Sequence, residues 1–140
     1  MEIDPRGPRF GAVITTVVLA VVLVTGSAWL LGVQLAVFAT GALAGLRYAP
    51  YGVVFRAFIR PRLGPPGHTE AEAPPRFSQA VGMVFALGGV LGYALGATAV
   101  GIVFTAFALV AAFLNAAFDF CLGCQAYLLI QRNLKVRPSA

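Results

Sequence analysis

Two cysteines separated by two residues carry the clearest chemical signal in this sequence. Cys121 and Cys124 are the only cysteines of the chain, and Leu122 and Gly123 lie between them. A Cys-x-x-Cys pair brings two sulfurs close enough to form a small disulfide ring or to share a metal ion. The pattern indicates thiol chemistry, and the alternative is that both cysteines are small apolar residues in a helix interface. No metal is predicted, because a closed zinc site needs four ligands and the chain adds one distant histidine.

Polar residues near this pair extend the candidate site. Asp119 lies two residues before Cys121 and is a candidate proton acceptor in thiol exchange. Asn115 lies four residues before Asp119, so the two share a face if the preceding helix continues. We predict catalytic roles for Cys121, Cys124 and Asp119. Structural or interface roles are predicted for Asn115 and Gly123, and for Arg47 and Arg56 as alternative salt-bridge partners of Asp119.

The composition points to a lipid environment. Of the 140 residues, 59% are hydrophobic and 11% are charged, whereas a soluble domain carries about 25% charged residues. A transmembrane helix needs about 20 apolar residues, and its backbone must satisfy its hydrogen bonds internally. We therefore predict one membrane domain over residues 1–140, with four transmembrane helices at 10–24, 28–46, 77–95 and 99–114.

The segments outside the spans are polar or amphipathic. Residues 53–63 mix apolar side chains with three arginines, and residues 125–134 have an apolar side that leads into a basic end. Both segments are predicted as interfacial helices. Residues 1–9 contain two prolines and a glycine and are predicted as a non-helical arm. The linker at 64–74 is rich in glycine and proline and contains His68, which we expect to be solvated.

A short motif suggests an internal repeat. Pro-Arg-Phe occurs at residues 8–10 and again at 75–77, and each copy opens the same order of elements. The halves, about 8–63 and 75–134, would be parallel repeats related by an axis along the membrane normal. The predicted fold is thus all-α, with two helix-pair repeats plus short interfacial helices. In this alignment Gly123 pairs with Gly52, and the cysteines pair with Pro50 and Val53, so the thiols are an addition to one half.

The charge distribution predicts an orientation. All ten Lys and Arg residues fall on one side of the predicted topology, so the positive-inside rule places both termini and the linker in the cytoplasm. The net charge of +5 then reflects topology and anionic lipid, and no nucleic-acid partner is expected. Because structural disulfides are rare in the cytoplasm, the cysteine pair is expected to be reduced or to cycle.

The two most distinctive segments resemble a known family. The opening Ile-Asp-Pro-Arg-Gly-Pro-Arg-Phe at residues 3–10, and Asn-Ala-Ala-Phe followed by Phe-Cys-Leu-Gly-Cys within residues 115–124, resemble "domain of unknown function 4395". The resemblance covers essentially the whole chain. It implies a four-span protein of the bacterial inner membrane whose signature includes both cysteines. Genes of this family often lie beside genes for thioredoxin-like and thiosulfate sulfurtransferase proteins, which implies a role in thiol or sulfur metabolism. The family has no settled activity that the resemblance could assign to this chain.

These observations support one leading hypothesis and two alternatives. In the first, the dithiol exchanges electrons or sulfane sulfur with a cytosolic thioredoxin-like or sulfurtransferase-like partner, as an oxidoreductase or sulfur relay linked to a membrane quinone. No residue pattern identifies the quinone site, and the sequence leaves open whether the chain is an enzyme. The alternatives are a small transporter or channel subunit for a sulfur compound, and an oligomeric scaffold with a cysteine-ligated metal. Glycine-rich helix faces also predict a homodimer.

Overall fold

The structure is a computed structural model that describes residues 2–4, 6–65, 67, 69–118 and 120–139. In this part of the chain it is almost entirely helical, which confirms the predicted all-α class. The long helices are α1 (Arg6–Thr25), α2 (Ala28–Ala39), α5 (Ala73–Ala94), α6 (Thr98–Phe118) and α7 (Leu122–Ser139). The short ones are α3 (Pro50–Val54) and α4 (Arg60–Leu63), and β1 (Glu2–Ile3) pairs antiparallel with β2 (Glu70–Ala71).

Non-α segments extend two of these helices. A π-helical stretch (Thr40–Ala44) continues α2, and Leu46–Tyr48 forms a turn of 3₁₀-helix. A second π-helical stretch (Phe55–Ile59) joins α3 to α4, so residues 50–63 form one helical unit. A helix is therefore present where the first interfacial helix was predicted, and it begins three residues earlier; its place at a membrane interface stays a prediction.

Three helices in the described part of the chain are long and apolar enough to cross a membrane: α1, α5 and α6. The apolar helix Ala28–Ala44, which contains α2, is shorter than these three. Three of the four predicted spans thus have helices of membrane-spanning length. The second predicted span, at 28–46, stays a prediction.

The long helices pack through a small apolar core. α5 contacts both α2 and α6, and α1 contacts α6. Glycines allow the closest approach, because a Cβ added to Gly92 would lie 2.5 Å from the backbone nitrogen of Gly101. The core residues are Leu19, Val22, Leu31, Phe38, Ala86 and Ala108.

The start of α1 corrects the prediction of a non-helical arm. α1 begins at Arg6, because Asp4 caps it: the Asp4 carboxylate accepts the Arg6 backbone N–H at 3.0 Å. Pro8 falls in the first turn, where its missing N–H has no intrahelical partner to lose. The prediction treated Pro8 as a helix breaker, whereas a proline in the first turn is compatible with a helix.

The two arginines of the repeated Pro-Arg-Phe motif make similar contacts. Arg9 donates to the carbonyl of Ala116 near the end of α6, at 3.2 Å. Arg76 donates to the carbonyls of Ala42 and Leu43 at the end of the α2 unit, at 2.8 and 3.1 Å. A cation at a helix C-terminus satisfies free carbonyls and complements the helix dipole. These contacts hold the charged helix ends together at one end of the bundle.

Candidate functional site

Cys121 and Cys124 form a disulfide at the start of α7. Their Cα atoms are 5.1 Å apart. Cys121 directly precedes α7, and its carbonyl accepts the Gln125 backbone N–H at 3.0 Å, as the residue capping a helix N-terminus does. The helix begins at Leu122, whereas the sequence predicted its start near residue 125. The cysteine pair therefore belongs to the first turn of a helix.

The sulfur of Cys121 receives a hydrogen bond from this helix. The Cys124 backbone N–H donates to Cys121 Sγ, with 3.1 Å between nitrogen and sulfur. In the reduced protein the same N–H and the positive end of the helix dipole would stabilise a Cys121 thiolate. The structure thus gives Cys121 the surroundings of an attacking or leaving sulfur. Both cysteines are partly exposed.

Gly123 brings this turn against α5. A Cβ added to Gly123 would lie 2.6 Å from the Cα of Ser78 and 2.5 Å from its Oγ, which is closer than atoms can pack. Beyond this contact, the Tyr127 ring packs on the Phe77 ring with centroids 5.6 Å apart. At position 123 only glycine fits without moving α7 away from α5.

The cysteine pair faces a cavity of about 730 Å³, which we call the dithiol cavity. Its walls come from α1, α2, α5, α6, the strand β2 and the first half of α7. Asn115, Ser78, Gln79 and Thr15 contribute polar side chains to the wall, and Phe38, Phe85 and Phe107 contribute apolar rings. Asn115 and Gly123 therefore accompany the two cysteines, as the sequence predicts. Ser78 and Gln79 were not predicted as site residues, although a polar pair at the start of an apolar run is a signal in the sequence that could have indicated them.

Two of the three remaining predicted site residues lie elsewhere. Arg47 and Arg56 line a separate cavity of about 360 Å³, which we call the arginine cavity. It is built by the start of α1 and residues 46–60, and the structure does not bring either arginine to the dithiol cavity. Gln79 and Pro8 line both cavities, so the two are neighbours. Asp119 and His68 lie outside the described residues, and so do the predicted salt bridges of Asp119.

A polar chain supports the wall of the arginine cavity. Gln34 is fully buried in α2, and its amide donates to the Thr15 hydroxyl at 3.3 Å. Its carbonyl oxygen accepts the Tyr51 hydroxyl at 2.7 Å. Burial raises the pKa of Tyr51, which keeps its phenol in the neutral, donating form. This chain fixes α3 against α1 and α2.

Asp4 is the acidic residue of the arginine cavity. The Arg6 guanidinium, which donates to Asp4 at 2.9 Å, holds the pKa of the Asp4 carboxyl below its usual range, and burial opposes this only in part. Arg60 approaches the same carboxylate at 3.8 Å. Asp4 is therefore an ionised partner for arginines at neutral pH. Among the described residues, no group of three or more His, Cys, Asp or Glu side chains could hold a metal ion.

Comparison with known proteins identifies the family. The model of the family described as "Domain of unknown function (DUF4395)" matches residues 3–132. No curated protein and no solved structure matches the chain. The match covers both cysteines and nearly the whole sequence, so the chain belongs to this family.

Proposed function

We propose that this chain is a membrane-embedded dithiol protein whose Cys121–Cys124 pair exchanges electrons or sulfane sulfur with a cytosolic partner. One observation carries the proposal: the pair closes into a disulfide on a helix N-terminus, and a backbone N–H from that helix reaches Cys121 Sγ. A purely structural disulfide would not need a hydrogen-bonded sulfur at the rim of a cavity of about 730 Å³. The partner would be thioredoxin-like or sulfurtransferase-like.

Electron exchange would proceed through a mixed disulfide. A partner thiolate attacks Cys121 Sγ, the Cys121–Cys124 bond breaks, and Cys124 leaves as a thiolate. The second thiol of the partner then attacks the partner sulfur that is bonded to Cys121, which closes the partner's disulfide and releases the Cys121 thiolate. Two electrons thus pass from the partner dithiol to this chain, and the partner becomes a disulfide. In the reverse direction Cys121 attacks first and Cys124 resolves.

Sulfur transfer would use the same two residues. The reduced Cys121 thiolate attacks the terminal sulfur of a partner persulfide and forms a Cys121 persulfide, while the partner leaves as a thiolate. Cys124 then attacks Cys121 Sγ, forms the disulfide and expels hydrosulfide. The transferred sulfur is reduced by two electrons and the dithiol is oxidised by two. Both routes need the short reach between the sulfurs that the first turn of α7 provides.

The dithiol cavity supports a link to the membrane. Its aromatic wall of Phe38, Phe85 and Phe107 suits a flat apolar molecule such as a quinone, and Gln79 and Asn115 offer polar groups. A quinone would accept two electrons and two protons from the reduced pair and leave as the quinol. The same cavity would also suit the alternative in which the chain admits a sulfur compound to the bilayer.

We also propose four spans and a cytoplasmic site. The helix Ala28–Ala44 has 17 residues, which gives a length of about 25 Å at 1.5 Å per residue. A bilayer core of about 30 Å accommodates this by local thinning. Arg9, Arg76 and the arginines of the arginine cavity lie at one end of the bundle. The positive-inside rule would place that end on the cytoplasmic side of a bacterial inner membrane.

The contacts of the Pro-Arg-Phe motifs support the repeat. Each arginine caps the second helix of the other half. Each phenylalanine packs on an aromatic residue of the following interfacial helix, Phe10 on Phe55 at 5.7 Å and Phe77 on Tyr127 at 5.6 Å. Two halves exchanging equivalent contacts are what a parallel repeat would produce. We keep the homodimer as a prediction from the glycine-rich faces.

A redox titration of the purified protein in nanodiscs tests the proposal. The protein is equilibrated in buffers of graded thiol-to-disulfide ratio, and free cysteines are alkylated and counted by mass spectrometry. We expect both cysteines to be alkylated or neither, with a two-electron transition. Cys121→Ser and Cys124→Ser are the controls, because neither can close the ring. A wild-type pair that is alkylated at every ratio would contradict the proposal.

A further inference from the structure

The side chains that line the arginine cavity carry more positive than negative charge. Its lining contains three guanidinium groups, from Arg47, Arg56 and Arg60, and one carboxylate, from Asp4. Three positive charges and one negative charge leave the lining at +2. Asp4 is also engaged by Arg6, which contributes a further cation beside the cavity. The cavity therefore holds a positive potential.

Two of these arginines have most of their donors free for a ligand. Among the residues that the structure describes, neither Arg47 nor Arg56 pairs with a carboxylate. One nitrogen of Arg56 donates to the carbonyl of Arg47, which orients its guanidinium. The Arg47 guanidinium rests 5.8 Å from the Tyr48 ring centroid. A guanidinium has five N–H donors, so both side chains keep donors for an acceptor.

Much of the remaining wall is apolar, and Gln79 and Tyr51 add polar groups to it. Val37, Leu46 and Phe55 line the cavity, and Leu46 and Phe55 are buried. Tyr51 is fixed by its hydrogen bond to Gln34. A volume of about 360 Å³ is that of a small-molecule pocket. A fixed site with excess guanidinium groups is suited to a small anion with several acceptor oxygens.

We propose that the arginine cavity binds a tetrahedral oxyanion of the phosphate or sulfate class. Arg56 and Arg47 would donate to its oxygens, and Arg60 would add charge from the Asp4 side. The oxyanion could be free in solution, or it could be the headgroup phosphate of an anionic lipid, since Arg56 and Arg60 belong to the interfacial helix predicted at 53–63. This site is independent of the thiol chemistry, because no cysteine lines it.

Binding is tested with two probes that separate the sources. Inorganic phosphate is titrated into protein in neutral phosphatidylcholine nanodiscs, and thermal unfolding is followed. In parallel, protein reconstituted with phosphatidylglycerol is analysed by native mass spectrometry for bound lipid. We expect one probe to bind saturably with a stoichiometry of one, and Arg56→Gln to weaken that binding about tenfold.

Matched variants separate a site from general charge. Arg62→Gln removes an exposed cation of α4 that does not line the cavity, and it should change binding less than twofold. Arg47→Gln is the second cavity variant, because its backbone carbonyl, which Arg56 binds, is retained. Saturable phosphate binding lost in the cavity variants supports a soluble oxyanion, and lost phosphatidylglycerol binding supports a lipid headgroup. The proposal is overturned if neither probe binds saturably, or if Arg62→Gln weakens binding as much as Arg56→Gln.

Discussion

The two elbows, where an apolar helical segment ends and the next helix, α3 or α7, begins, have similar frameworks and different chemistry. At the first elbow, Pro50 opens α3 and arginines line the adjoining cavity. At the second, Cys121 caps α7 and the disulfide lines the adjoining cavity. In each, the phenylalanine of a Pro-Arg-Phe motif packs on an aromatic ring of the helical segment that follows the elbow. The first elbow has this framework without thiols, and for this reason we propose a function for the cysteines of the second.

The glycines of the two elbows differ in a way that supports this. A Cβ on Gly52 would meet its nearest neighbours, Arg56 Nη1 and the Leu46 carbonyl, at 3.5 Å, which is ordinary contact. A Cβ on Gly123 would lie 2.5 Å from Ser78 Oγ. The dithiol turn is thus held tightly against α5, whereas the first elbow has room for a side chain.

The largest expected effect is therefore that of Gly123→Ala. The added methyl group overlaps the backbone of Ser78, and overpacking of this kind costs about 1–3 kcal/mol. We expect a lower unfolding temperature in nanodiscs and faster alkylation of the reduced cysteines, because the start of α7 moves off α5. Gly52→Ala is the matched control and should change both by much less. Equal effects of the two substitutions would show that the elbows do not differ in packing.

The next effect concerns the helix-end contacts of the two halves. Arg76 is partly buried and makes two bonds to the end of the α2 unit, whereas Arg9 is exposed and makes one bond to α6. Arg76→Gln should cost about 2 kcal/mol of stability, since bonds from charged donors contribute about 1.5–3 kcal/mol. Arg9→Gln should cost less, because solvent screens its contact. Chemical denaturation in detergent micelles measures both, and a larger loss for Arg9→Gln would contradict this ranking.

The smallest effect is a pH dependence at the first elbow. The folded-state pKa of Asp4 lies below its ordinary value of 3.8. A lowered folded-state pKa contributes stability that is present above the ordinary value and lost as the pH falls through the folded-state value. The difference in stability between the wild type and Asp4→Asn should therefore shrink as the pH falls from about 6 to about 3. Thermal unfolding over this range checks it, and a gap that does not change with pH would refute it.

Much of the helical order could be predicted from the sequence. Long apolar runs leave the backbone no alternative to helix in lipid. The predicted spans at 10–24 and 99–114 accordingly fall inside α1 and α6, and the span predicted at 77–95 ends one residue beyond α5. Helix starts were predicted less well. The sequence does not reveal that Asp4 caps α1, or that Cys121 caps α7, because a cap depends on the backbone turn before the helix.

The candidate site was predicted in part. The spacing of Cys121 and Cys124 indicates a disulfide-forming pair, and Asn115 lies close by because α6 ends near the start of α7. The positions of Arg47 and Arg56 depend on how the first elbow folds back on α1, which no local pattern encodes. Ser78 reaches the site only because Gly123 lets two helices touch, a contact far apart in sequence.

Trapping the intermediate on Cys121 tests the central claim most directly. Cys124→Ser removes the resolving thiol and nearly preserves its size, so a mixed disulfide or persulfide on Cys121 should accumulate in cells. Mass spectrometry of the purified variant should show a covalent adduct that reductant removes, and Cys121→Ser should show little. If both variants are folded and inserted in the membrane and neither carries an adduct, the dithiol account is contradicted.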